Sequence, residues 1–183
     1  MKKSKTPPMK KSDEANDEQL QMALDQGQQY KTALDYMDKE EADGGGEVHI
    51  GDYIVAYAVE NAEGMYHMRN GVLDWVEPGD ENCHIEIAVR DAADQRFIPY
   101  LDINLEVLDA EGESVGSHSQ PFVWHPWLYH YGRNWQVPGE GEYTLKVNIK
   151  APDFPRHDEK NGERYADDVN VEFEGVQIKT GQK

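Results

Sequence analysis

The sequence has one cysteine, no long apolar run and few cationic residues, and each shortage excludes a class of structure or partner. Because Cys83 is the only cysteine among 183 residues, no disulfide can form within the chain. No run of 18 or more apolar residues occurs, so we expect no transmembrane segment. The chain carries 36 acidic and 18 basic residues, a formal net charge of −18, which argues against nucleic-acid binding.

Lysine is scarce in the body of the chain. Residues 40–178 contain 29 acidic residues and only three lysines, Lys146, Lys150 and Lys160. A strongly acidic, lysine-poor surface favours adaptation to high salt, as in halophiles, because ions screen the repulsion between like charges. An ordinary acidic soluble domain is the alternative.

Motifs for nucleophilic catalysis, phosphate binding or dinucleotide binding are also missing, so we expect no enzyme activity. An enzyme with an open metal position is a weaker alternative, since no general base stands out.

The chain divides into three segments. Residues 1–16 are polar and predict a disordered tether. Residues 17–43 have apolar positions at three- and four-residue spacing, which predicts an amphipathic helix that is interrupted near Gly27 and ends at a flexible triple glycine. From residue 47 to 179 the period changes to two, and about seven short strands are separated by turn residues. This pattern predicts an all-β fold, an immunoglobulin-like antiparallel β-sandwich.

Histidine-containing patches are the strongest chemical signal. His84 and Glu86 are two residues apart on a predicted strand, so both project from one face while Cys83 and Ile85 point to the core. A solvent-exposed polar face is the ordinary alternative. Imidazole and carboxylate donors together are typical of a first-row transition-metal site.

Three further patches offer donors for the same kind of site. His125 and His130 flank an aromatic segment in a predicted loop, His157 follows a proline-rich stretch, and Met65 and Met68 flank another histidine. Methionine and histidine together suit copper better than zinc. Structural histidines, loop histidines and edge packing are the alternatives for these residues.

Four patches in order resemble a known family, the periplasmic iron-transport accessory proteins. The resemblance is carried by four segments: His84-Ile85-Glu86, Phe97-Ile98-Pro99-Tyr100-Leu101, His130-Tyr131-Gly132 and Arg156-His157. It implies a homodimer that binds copper or iron near its interface and delivers iron to a membrane permease. The implied ligands are His84, His130 and His157, with Glu86 as the nearby carboxylate.

One departure from the family pattern concerns a methionine upstream of the H-Y-G loop. Phe122 stands at that position here and cannot coordinate a metal ion. The open alternatives are that His125 fills the place, that Met65 or Met68 reaches across, or that the site has three protein ligands and an open position.

We therefore expect an extracytoplasmic metal-binding protein for iron or copper uptake, periplasmic or at the cell surface, whose affinity falls as the imidazoles protonate near pH 6.5. No intact secretory signal is visible, and a cytoplasmic location is the alternative.

The competing function is a recognition module that stacks carbohydrate or protein on Trp124, Trp127 and Trp135. Distant ring nitrogens in His84 and His130 would contradict the metal site, and buried tryptophans would contradict the stacking surface.

Overall fold

The computed structural model describes residues 8–183 of the chain. It has one helix, α1 (Asp17–Tyr36), which continues as a π-helical segment over Met37–Glu41. Eleven strands follow: β1 (Gly44–Ile50), β2 (Tyr53–Glu60), β3 (Met65–Arg69), β4 (Val72–Val76), β5 (Cys83–Asp91), β6 (Ile103–Leu108), β7 (Ser114–Ser119), β8 (Phe122–Val123), β9 (His130–Trp135), β10 (Gly141–Ile149) and β11 (Val169–Ile178).

The strands form two principal antiparallel sheets, so the predicted all-β sandwich is confirmed. One sheet has the order β1-β2-β5-β9-β8 and the other β11-β10-β6-β7, while β3 and β4 form a separate hairpin. The core lies between the two principal sheets and is built from the inward residues of each strand. Among residues 8–183, no helix is long and apolar enough to cross a membrane.

Strand β5 is the central element, because both of its faces are buried. Ile85, Ile87 and Val89 point into the core and are fully buried. The alternate residues face away from the core, and they are also buried: His84, Glu86, Ala88 and Arg90. A strand that carries ionisable side chains on a covered face needs polar partners or a ligand there.

Helix α1 begins at a capping box, in which Asn16 accepts from the backbone N–H of Gln19 and the Gln19 side chain accepts from that of Asn16.

The expected interruption near Gly27 is wrong, since the helix runs through this residue without a break. Gly27 is buried, and a Cβ atom there would lie 1.7 Å from the carbonyl oxygen of Asp94. The glycine therefore permits close packing of the helix on the turn after β5 instead of breaking the helix.

The expected flexible break at the triple glycine is also wrong. Residues 44–46 open strand β1 and pair in register with residues 57–59 of β2. Backbone hydrogen bonds to a neighbouring strand do not depend on side chains, so a glycine run can enter a sheet when a partner strand is available.

The part of the predicted tether that the structure describes has defined contacts. Ser12 donates to the Asp158 carboxylate over 2.7 Å, and Asn161 exchanges hydrogen bonds with the backbone of Lys10 over 2.7 and 2.8 Å. These contacts hold residues 10–12 against the turn at 158–161. The tether expected over residues 1–7 lies outside the described residues.

Replacement of Gly27 by alanine tests the packing of α1. In an exposed helix this change stabilises by about 1 kcal/mol. Here we expect the free energy of unfolding to fall by about 1–3 kcal/mol, because the new methyl group overlaps the backbone of Asp94. Urea denaturation measures the difference, with the exposed neighbour Gln28→Ala as the control. A Gly27→Ala protein more stable than the wild type would show that α1 does not pack this closely.

Candidate metal centre

Three of the predicted ligands converge on the outer face of the five-stranded sheet. His84 and Glu86 project from β5, and His130 begins the neighbouring strand β9, where Gly132 pairs with Glu86. One Glu86 carboxylate oxygen, Oε1, lies 3.3 Å from His130 Nε2 and 3.9 Å from His84 Nε2. One ligand atom from each of the three residues lies within 4.8 Å of the other two. Donors at metal bonds of about 2.0–2.2 Å are separated by about 3–4 Å, so these residues fit one ion.

The two imidazoles each present a buried nitrogen without a partner. Among residues 8–183, four buried side-chain atoms have no hydrogen bond, and His84 Nε2 and His130 Nε2 are two of them. A Cβ atom at Gly132 would lie 2.9 Å from His84 Nε2 and 3.1 Å from His130 Cδ2. A side chain at residue 132 would therefore collide with the two rings, and glycine lets both imidazoles lie close to strand β9.

The other ring nitrogen of each histidine is held by a hydrogen bond. His84 Nδ1 lies 3.0 Å from the side-chain oxygen of Asn134, and His130 Nδ1 lies 3.0 Å from the carbonyl oxygen of Leu128. Since both partners accept, each Nδ1 carries the proton and each Nε2 keeps its lone pair. This arrangement is usual for histidines that bind a metal.

Burial sets the charges of the three residues. Desolvation lowers the pKa of His130 to about 3 and also lowers the pKa of His84, so both rings stay neutral. Desolvation raises the pKa of Glu86 well above its usual range, and the nearby carboxylates of Glu60 and Glu63 raise it further. Burial therefore disfavours the charged form of all three residues.

His125 lies beside this group but outside it. Its ring centroid is 5.9 Å from that of His130, and it packs against Trp127 with a centroid distance of 5.2 Å. Phe122 is about half exposed and packs against Phe97 and Tyr129, with no donor to offer. His125 is thus the imidazole next to the three-residue group, and its role as a fourth ligand stays a prediction.

The remaining predicted ligands are not brought into the three-residue group. His157 is 92% exposed, with Nδ1 3.0 Å from a Glu14 carboxylate oxygen. Met65 and Met68 lie on the separate β3–β4 hairpin, and Met68 is 67% exposed. Their assignment as ligands stays a prediction.

Helix α1 fastens the loop that carries His125 and His130. The Tyr30 hydroxyl donates to the carbonyl oxygen of Tyr129, and the Tyr36 ring meets Trp127 edge-on at 5.8 Å. Burial raises the pKa of Tyr30, so its hydroxyl remains a donor. Sequence reasoning missed this role because the contact joins residues 99 positions apart.

The tryptophans do not form one continuous stacking face. Trp135 is 3% exposed and donates a hydrogen bond to Gln120, whereas Trp124 and Trp127 are exposed. The expected stacking surface is therefore incomplete, because one of its three members lies in the core.

Cys83 is likewise a core residue, and burial raises the pKa of its thiol to about 12.

A family model described as Fe2+ transport protein matches residues 77–177, more than half of the chain. The chain belongs to this family. The matched region contains β5 and β9, and therefore all three residues of the metal centre. The predicted resemblance to iron-transport proteins is confirmed. The comparison with curated protein sequences gives no match.

Solved structures of two proteins share the fold. As-isolated FetP of uropathogenic Escherichia coli strain F11, expressed recombinantly in the periplasm, is 19% identical, with a TM-score of 0.61 over 74% of this chain and 94% of that chain. Copper-reconstituted P19 of Campylobacter jejuni is 18% identical, with a TM-score of 0.62 over 75% of this chain and 96% of that one. About a quarter of this chain thus has no counterpart in those structures.

One family motif has a structural explanation in this chain. The Tyr131 hydroxyl of the H-Y-G segment donates to the carbonyl oxygen of Ile98 over 2.8 Å and accepts from the backbone N–H of Leu101 over 3.0 Å. The tyrosine beside the predicted ligand His130 therefore ties strand β9 to the I-P-Y-L segment.

Replacement of Tyr30 by phenylalanine tests the link between α1 and the histidine loop. We expect the free energy of unfolding to fall by about 1 kcal/mol, because one hydrogen bond is lost. We also expect faster amide hydrogen exchange in residues 124–129, measured by mass spectrometry. Tyr36→Phe is the matched control, since it keeps the ring contact with Trp127. Equal exchange rates in wild type and Tyr30→Phe would contradict the link.

Proposed function

We propose that the protein binds a transition-metal ion, copper or iron, through His84, Glu86 and His130, and that it serves iron uptake. The observation that carries this proposal is the pair of buried Nε2 atoms without partners, which flank one carboxylate. Buried polar atoms are normally satisfied, so two orphaned nitrogens that converge favour a ligand between them. Membership of the Fe2+ transport family and the copper-bound structures of FetP and P19 support the same ion types.

The wider proposal concerns where and with what partners the protein acts. We infer that it works outside the cytoplasm, binds metal as a non-catalytic carrier, forms a homodimer and passes the ion to a membrane iron permease. Expression of the similar FetP in the periplasm agrees with this location. In such a dimer, the exposed His157 of one copy would be available to the other.

The copper affinity of alanine variants tests the proposed site. For copper(II) titrated into metal-free protein at pH 7, we expect His84→Ala and His130→Ala to lose more than about 100-fold in affinity, because each removes a buried donor. His49→Ala is the matched control, since His49 is a half-exposed histidine on β1. The same titration with iron(II), zinc(II) and manganese(II) ranks the metals.

His125→Ala and His157→Ala separate the open alternatives for the fourth ligand. Loss of affinity in His125→Ala would make His125 the replacement for the family methionine, and wild-type affinity would leave three protein ligands. Equal copper affinity in wild type, His84→Ala and His130→Ala would contradict the proposed function.

We expect the pH dependence of metal binding to follow from Glu86 more than from the imidazoles, in contrast to the expectation from sequence. The lowered pKa values of His84 and His130 keep both rings available below pH 6.5. Because burial and the carboxylates of Glu60 and Glu63 raise the pKa of Glu86, a proton on this carboxyl competes with a metal ion. We therefore expect affinity to rise with pH, by about tenfold per unit, for as long as Glu86 is protonated in the free protein.

Calorimetry in buffers of different ionisation enthalpy measures how many protons are released when copper binds. At pH 6–7 we expect release of about one proton per copper ion bound. Glu86→Gln is the control, since the amide has no proton to release, and it should bind copper more weakly with a flatter pH profile. Proton release from Glu86→Gln equal to that of the wild type would assign the proton to another group.

A further inference from the structure

Beside the metal centre, two carboxylates share one ammonium group. Lys183 Nζ lies 3.0 Å from Glu60 Oε1 and 4.0 Å from Glu63 Oε2. The Glu60 side chain is 5% exposed, whereas that of Lys183 is 48% exposed and reaches in from the surface. Because a buried carboxylate without a partner is strongly unfavourable, Lys183 neutralises a charge that the fold has placed there.

Glu60 is part of the surroundings of the metal centre. It pairs in register with His84 across strands β2 and β5. Residues directly opposite each other in an antiparallel pair project from the same face, so Glu60 stands next to His84 on the outer face of the sheet. Both charges act on the metal centre. Burial is the largest influence on the pKa of His84 and of Glu86. The Glu60 carboxylate raises both pKa values, and the Lys183 ammonium lowers both.

The backbone holds Lys183 in this position. Its N–H donates to the carbonyl oxygen of Ala62 over 2.8 Å, and Ala62 forms a parallel bridge with Gln182. Gly181 donates to the carbonyl oxygen of Asn82 over 2.7 Å, immediately before β5. The residues around Lys183 are therefore fastened to the segments that enter and leave the metal-binding strands.

We propose that Lys183 is an internal competitor cation that sets the affinity of the metal centre for divalent transition metals. Its ammonium group occupies the space between Glu60 and Glu63, where it repels an incoming divalent ion and cancels the attraction of the two carboxylates. Such effects are strong near a buried site, because the surrounding protein screens charges less than water does. This inference rests on the proposed binding of metal by His84, Glu86 and His130.

Copper(II) titration of variants of the 183-residue chain at pH 7 and fixed ionic strength tests the inference. We expect Lys183→Met to bind copper about tenfold more tightly than the wild type, because the repelling charge is gone and two carboxylates are released. Lys183→Arg keeps the charge and should bind copper as the wild type does, whereas a purely structural role for the side chain predicts no gain of affinity in Lys183→Met.

Lys150→Met is the matched control for net charge. Lys150 is exposed and pairs with Asp168 over 2.8 Å beyond the end of β10, in the other sheet. It should bind copper as the wild type does. An equal gain in Lys150→Met and Lys183→Met would overturn the inference, because it would assign the effect to overall charge.

Glu60→Gln completes a double-mutant cycle. Alone it should weaken copper binding by about tenfold, and together with Lys183→Met it should return the affinity towards that of the wild type.

Wild-type affinity in Lys183→Met would overturn the inference. If His130→Ala loses copper while Lys183→Met matches the wild type, only this inference fails. If His130→Ala binds copper as tightly as the wild type, the proposed function fails and the inference fails with it.

Discussion

Burial of the outer face of β5 is the constraint on which the rest of the structure depends. A strand alternates its side chains, so a core that needs Ile85 and Ile87 places His84, Glu86 and Arg90 on the opposite face. Covering that face removes water from ionisable groups, and the cost must be offset by partners, neutralisation or a ligand. Arg90 is met by Glu47 and Gln95, whereas the two histidines keep one free nitrogen each.

Helix α1 packs through Gly27 against the turn after β5 and fastens the histidine loop through Tyr30, while strand β9 places His130 beside Glu86. Burial lowers the pKa of both imidazoles and raises that of Glu86, so the covered face disfavours charge on each of the three residues.

Local patterns in the sequence predict the parts of the fold that depend on neighbouring residues. Alternation identifies His84 and Glu86 as one face of a strand. The sequence predicts a loop where strand β9 begins. Residues on both faces of β9 are buried, which removes the alternation of apolar and polar residues that marks a strand. The helix continues across Gly27 because tertiary packing outweighs the low helix propensity of glycine. Asn134, Tyr30 and Lys183 carry no local signal, because their partners are 50 to 123 residues away.

The position of Cys83 has a consequence for redox chemistry. The thiol is adjacent to His84 in sequence, yet it belongs to the opposite face of β5 and is completely buried in the core. Thiolates are the species that reduce copper(II) and bind copper(I), and burial keeps this sulfur in its protonated form. A single strand therefore holds a candidate metal ligand and a thiol one residue apart on opposite faces, so the sulfur that would reduce a copper(II) ion held at His84 lies on the other side of the sheet.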